Sequence, residues 1–488
     1  MVSPQRPRSS LVTQAVRWLG RLPVTRPALI GAYGAVAHGA ARAFAALPDI
    51  RSVQLSGSLL NPSSVAPGAS DIDLVLVADL PTPEIELHFR AQVKRILRVV
   101  NRAGPVLYNL EYFAFDELEH YRAFGNGWAM GLGRTWRTLA GDPLQASTLY
   151  VRDANELRNE AFFQAGLRWR KSACPLLGSD ESAPDWLLLR SAERTLACVL
   201  AEYLGADRYR KSLGMLLERA RRTPELAATL AEIENGPRNT AVSLDALLAA
   251  SLAVLDHFAR ECTQGWHAPW PIAVAAEALP RSSTRTDVAL RLLGHGFQSV
   301  YRIARGPGAI GARLVAVAPE SDAATDTVAR AQRAFGELGI GAAFGEWPLV
   351  LTPCLWRALA LFEPGPFLAA SVAAGQYEVF GRELPPPPAP PSEELMNLLR
   401  VRAVELFYRP RGRLLRLTKS DARSRFDADM HLAPALGHAL RTGTLPSTPL
   451  PPLAASNADE FTQISALRGW IEVQKRSLTP ELERRRVR

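Results

Sequence analysis

Cysteine is scarce in this chain, and no apolar run is long. The four cysteines, Cys174, Cys198, Cys262 and Cys354, stand far apart and form no Cys-x-x-Cys pair. That spacing speaks against a zinc ribbon or a disulfide framework and suits reduced thiols in a cytoplasm. No stretch reaches the roughly 18 apolar residues that a membrane helix needs. The uncharged stretch 27–41 falls short of that length and holds Gly31, Gly34 and His38. Arg17, Arg21 and Arg26 break up any signal-peptide core. Histidines such as His257 and His295 show no metal-ligand spacing. The expectation is a soluble, cytoplasmic protein with no membrane partner.

Apolar residues, in contrast, are plentiful. At 488 residues and 47% hydrophobic, the chain can bury large cores, and its length suggests two to four domains. Lys and Arg outnumber Asp and Glu by 57 to 48, for a net charge of +9. Spread over the whole chain, this is only a mild bias toward anionic partners such as nucleotides. Nucleic acid is permitted but not favoured, because no RRM, KH or aromatic-rich basic patch is evident. The arginines at the two ends (Arg6 and Arg8; Arg484, Arg485, Arg486 and Arg488) read as solvated tails.

One stretch carries chemistry. In "QLSGSLLNPSSVAPGASDIDLVLVADL", residues 54–80, Asp71 and Asp73 flank a single isoleucine at the mouth of an apolar strand. Two like charges on one strand face are costly unless they share a cation. Side chains two apart on a strand share a face, with Cα atoms about 6.5 Å apart, so both carboxylates can coordinate a hard cation through oxygen. Upstream, "SVQLSG" (52–57) reads as a strand stopped by Gly57-Ser58. Gly57 lets backbone approach a phosphate, and Ser58 can donate its hydroxyl and N–H. Downstream, "TPEIELHFRAQVKRILRVVNRAG" reads as a helix and "PVLYNLEYFAF" as a third strand with one acid, Glu111. Asp116 and Glu117 follow closely, and Asp116 is the alternative third acid.

Gly-Ser, twelve residues, then Asp-Ile-Asp-Leu resembles the signature of the DNA polymerase β-type nucleotidyltransferase superfamily. "TLAGDPL" (138–144) is similar to the turn that closes this domain in small-molecule and antibiotic nucleotidyltransferases. The resemblance covers roughly residues 30–145. It implies nucleotide binding by Gly57 and Ser58, metal binding by Asp71 and Asp73, and catalytic duty for Asp71, Asp73 and Glu111. The implied cofactor is magnesium or manganese. The implied substrates are an NTP, ATP for preference, and a hydroxyl-bearing acceptor. Helical bundles that follow such domains can lend a basic residue to the triphosphate. "RWRK" (168–171) makes Arg170 or Lys171 the candidate, and Lys171 is taken as the nucleotide-binding choice.

Beyond residue 150 the pattern turns helical, and beyond 300 the first half is echoed. "RLVAVAPESDAATDTVARAQRAFGELG" follows "DLVLVADLPTPEIELHFRAQVKRILRVVNRAG", "PLVLTPCLW" follows "PVLYNLEYF", and "VFGREL" follows "LAGDPL". Residues 394–415 match 156–177 at six of 22 positions. Offsets near 240 in constant order suggest a diverged tandem duplication. On that alignment Asp71 falls opposite Gly311, Asp73 opposite Arg313 and Glu111 opposite Cys354, so the second copy is degenerate. The expected fold is α+β: a nucleotidyltransferase-like mixed sheet with flanking helices plus a helical bundle, duplicated in tandem. Its divisions are a catalytic domain over 1–148, a helical bundle over 149–270, a degenerate nucleotidyltransferase-like domain over 271–384, and a second helical region over 385–488 after a proline-rich joint. The leading function is transfer of an NMP, AMP for preference, to a hydroxyl of a small molecule or protein, with release of pyrophosphate. An RNA-end nucleotidyltransferase and a nucleotide-sensing regulatory protein are the alternatives.

Overall fold

Four short strands form the first sheet, and the second four repeat their order. In the computed structural model the described residues are 15–487 apart from 17, 21, 61–64, 66, 68–69, 104–108, 126–135, 145–149, 179–184, 207–211, 225, 228–229, 231–242, 273–282, 305–311, 339–346, 364, 416–419 and 447–449. The first sheet and its local helices follow in chain order as α1 (Arg26–Ala45), β1 (Ile50–Ser56), β2 (Asp73–Ala78), α2 (Pro83–Ala103), β3 (Asn109–Ala114), α3 (Leu118–Phe124) and β4 (Arg137–Gly141). Next come the helices α4 (Ala154–Arg168), α5 (Asp185–Tyr203), α6 (Leu213–Ala220), α7 (Leu244–Cys262) and α8 (Ser283–Gly294). The second sheet region holds β5 (Ser299–Ala304), β6 (Ala312–Val317), α9 (Ala324–Leu338), β7 (Leu349–Leu351), α10 (Pro353–Arg357), α11 (Pro366–Ala373) and β8 (Tyr377–Gly381). Three long helices close the chain: α12 (Ser392–Leu414), α13 (Ser420–Thr442) and α14 (Glu460–Arg485).

The fold is α+β, with two four-stranded mixed sheets of orders β3-β2-β1-β4 and β7-β6-β5-β8. In each sheet the central pair and the β4 or β8 edge are antiparallel, while β2–β3 and β6–β7 are parallel. The registers correspond at their anchor points, although β1–β4 carries a shift between Val53 and Gln54 that β5–β8 lacks. Ser52 faces Val77 and Gly141; Ser299 faces Val317 and Gly381. Ser52 Oγ donates to Asp142 O at 2.6 Å, and Ser299 Oγ donates to Arg382 O. Gly141 (φ 76) and Gly381 (φ 95) both need the left-handed region. A Cβ there would sit 2.3 Å from Arg51 O or 2.6 Å from Gln298 O, so only glycine fits either turn.

The same registers correct one part of the sequence alignment. Asp73 pairs with Ser56 as Arg313 pairs with Ile303, which keeps Asp73 opposite Arg313. Val75 pairs with Glu111, and Val315 with Leu349, so Leu349 takes the place of Glu111 and Cys354 does not. Strand β7 stops at Leu351 because Thr352 Oγ1 accepts the Leu355 N–H at 3.1 Å and starts α10, which contains Cys354. Gly311, the expected counterpart of Asp71, lies outside the described residues, as do positions 105–108 of the expected third strand.

The chain forms two compact units. One comprises Val2–Arg152, Arg400–Gly437 and Pro451–Arg488; the other comprises Asp153–Leu399 and His438–Leu450. In the first-sheet unit, Val53, Leu55, Leu74, Leu76, Leu110 and Tyr112 bury one sheet face with Phe44 of α1 and Phe89 and Val93 of α2. In the second-sheet unit the core joins α4, α5 and α7 to β5–β7. There Trp169, wholly buried in a π-helical turn (Trp169–Ala173), donates its indole N–H to Val350 O at 2.8 Å. Each sheet is therefore completed by different stretches of helix than its own immediate sequence neighbours alone would supply: α4–α7 belong with β5–β8, and residues 400–437 and 451–488 belong with β1–β4.

Candidate active site

With its even-numbered residues in the core, β2 turns Asp73, Val75 and Val77 to the opposite face. That face is polar on β1: Ser52, Gln54 and Ser56 are all buried there. Gln54 Nε2 donates to Ser52 Oγ at 2.6 Å and to Thr138 Oγ1 on β4 at 2.9 Å. The row ends at Ser56, whose buried hydroxyl has no hydrogen-bond partner among the described residues. Ser56 is the residue paired with Asp73.

Immediately beyond Ser56 the chain bends through Gly57 (φ 75) into a 3-10 turn, Gly57–Leu60, in which Ser58 is buried. A Cβ on Gly57 would lie 1.9 Å from Asp73 Oδ2. The glycine is thus required by its dihedral and again by the carboxylate that occupies its side-chain space. Asp71 and Asp73 are both half-buried, on either side of fully buried Ile72. On the parallel neighbour, Asn109 stands beside Asp73 and Glu111 beside Val75. Glu111 is therefore one pleat repeat, about 7 Å, further along the face that carries Asp73.

Helix α12 meets that edge of the sheet. A Cβ on Gly412 would lie 1.9 Å from Glu111 Oε2 and 2.7 Å from its carboxyl carbon. Arg411, next to it, is buried and forked: Nε and Nη2 reach Glu86 of α2 at 2.9 and 3.3 Å, and Nη1 reaches Glu117 at 2.6 Å. Tyr112 OH donates to Glu86 at 2.9 Å, Tyr121 OH to Glu117 at 2.7 Å, and Arg468 of α14 to Glu86 at 2.9 Å. Burial works to raise both carboxyls. Arg411 and Arg468 together overcome it at Glu86, which is held below the usual carboxylate range. At Glu117 burial prevails over Arg411, and the carboxyl is pushed up. Tyr408 packs on Phe113 with ring centroids 4.9 Å apart.

Gly57, Ser58, Asp71, Asp73 and Glu111 all belong to the first-sheet unit. Lys171 lies on the π-helical turn of the second-sheet unit, where its neighbour Arg170 pairs with Glu363. Asp116 is exposed and bound to Lys475 at 2.5 Å. Ser56, Glu86, Arg411 and Gly412 were not legible as site neighbours. The available signals were a glutamate on the apolar face of α2 and a Pro-Arg-Gly step inside a helix. Among the described residues, no group of three or more His, Cys, Asp or Glu side chains is arranged to hold a metal ion. No family model, no curated protein and no solved structure matches this chain.

Proposed function

We propose that this chain is a metal-dependent nucleotidyltransferase that moves an NMP, AMP from ATP for preference, to a hydroxyl and releases pyrophosphate. The observation that carries the reading is the meeting of Gly57 with Asp73. Residues sixteen apart in sequence are brought together so that a buried 3-10 turn, with its backbone N–H groups, adjoins the Asp73 carboxylate. Two half-buried aspartates are a fitting donor set for magnesium or manganese, which takes few carboxylates and completes its shell with phosphate oxygens and water.

The chain's own groups divide the work. The Gly57 backbone and the Ser58 N–H and hydroxyl bind triphosphate oxygens, and the buried Ser56 hydroxyl is available beside them. Asp71 and Asp73 hold the cation, which when bound polarises the α-phosphoryl group and offsets the charge on departing pyrophosphate. Glu111 accepts the proton of the acceptor hydroxyl as that oxygen bonds to the α-phosphorus and the bond to the β-phosphate bridging oxygen breaks. The second sheet is a diverged duplicate without this chemistry. Shared strand order, shared register and the paired Gly141 and Gly381 turns support the duplication. Arg313 in the place of Asp73 would repel a cation, and Leu349 offers no proton acceptor.

The experiment is incubation of purified protein with each α-labelled NTP, magnesium and a cell extract. Label is expected to move to one acceptor class, with ATP the best donor and chelation abolishing transfer. Absence of label on any protein, RNA or small molecule, with all four nucleotides, would reject the reading.

A further inference from the structure

A glycine in a helix interior weakens the helix relative to alanine, and Gly412 sits inside α12, two residues after Pro410. The space a Cβ would fill at Gly412 is taken by the Glu111 carboxylate, with Oε2, the carboxyl carbon and Oε1 at 1.9, 2.7 and 3.1 Å. The helix backbone is thus one wall of the position that Glu111 occupies. That wall is fixed on both sides of β3 by Arg411, through Glu86 on α2 and Glu117 just past the strand. The two contacts hold α12 against a carboxylate about 300 residues earlier in the chain.

We infer that Gly412 is a positioning residue for Glu111: its missing side chain sets where the acceptor-side carboxylate stands. The inference rests on the nucleotidyltransferase reading. Because the obstructing atoms are the far end of a flexible side chain, alanine at 412 displaces the carboxylate and leaves the helix in place. Gly469 of α14 is the matched control, since an added Cβ there meets nothing within 4 Å.

The test is steady-state NMP transfer by full-length Gly412→Ala, Gly469→Ala, Glu111→Gln and the Gly412→Ala/Glu111→Gln double variant, with Tm for each. A misplacement on the order of 1 Å is expected to lower kcat about 10- to 100-fold in Gly412→Ala. KM for the nucleotide should stay put, Tm should hold or rise, and the acidic limb of the kcat pH profile should move. Gly469→Ala should match the wild type. Once Glu111 is Gln, adding Gly412→Ala should change nothing further. An unchanged kcat in Gly412→Ala, a full additional loss in the double variant, or a fall in Tm that accounts for the lost activity would overturn the inference. Asp73→Asn separates the two ideas. If it abolishes transfer while Gly412→Ala is silent, only the role of Gly412 fails; if Asp73→Asn is itself active, the nucleotidyltransferase reading fails.

Discussion

Glu86 and Glu117 are both buried and both bound to Arg411, yet their surroundings settle them differently. Glu86 has two arginines and a tyrosine hydroxyl; Glu117 has one arginine and a tyrosine hydroxyl. Removing one member of a buried ion pair costs about 3–5 kcal/mol. Glu86→Gln should therefore destabilise the first-sheet unit strongly at neutral pH in denaturant titrations. Glu117→Gln should cost less, because burial already disfavours its charged form. The folded-state pKa of Glu86 is depressed. Its charge therefore stabilises the fold fully above the unfolded value, near 4.3, and the contribution is lost as pH falls through the lower folded value. The gap between wild type and Glu86→Gln should close below about pH 4; a gap that stays constant through that window would contradict the assignment.

At the scale of elements, each sheet is tied to its last strand by a glycine with no steric alternative. Gly141→Ala and Gly381→Ala should each cost on the order of 1–3 kcal/mol through backbone strain and the clash with Arg51 O or Gln298 O. Hydrogen exchange should show each loss confined to the strands of its own sheet, and a neutral effect of either would undo the correspondence of the two turns. Strands and helices of this kind were largely legible beforehand. The apolar run in "DLVLVA" marked β2, the helical pattern after Thr82 marked α2, and the β-prone run around Glu111 marked β3. Register was less so. Ser52 and Ser299 are 247 apart, Asp73 and Arg313 240, Glu111 and Leu349 238. A fixed offset therefore drifts, since loop lengths change while strand order does not, and β7 is only three residues long.

At the scale of the molecule, the sequence offered contiguous divisions, whereas both compact units draw on separated stretches of chain. An amphipathic helix reports that it has an apolar face, not which sheet will cover it. That is why Lys171 could be picked from a basic run and Gly412 could not be picked at all. What the first-sheet unit assembles is a buried turn, Asp73 and Glu111 on one sheet face and Asp71 two residues before Asp73, with α12 closing over Glu111. NMP transfer and Tm of full-length Asp71→Asn and Asp73→Asn, measured beside the wild type, test this most directly. Loss of a cation ligand should take transfer to background in both variants, while relief of like-charge repulsion leaves Tm unchanged or slightly raised. Near wild-type transfer by either variant would contradict the account.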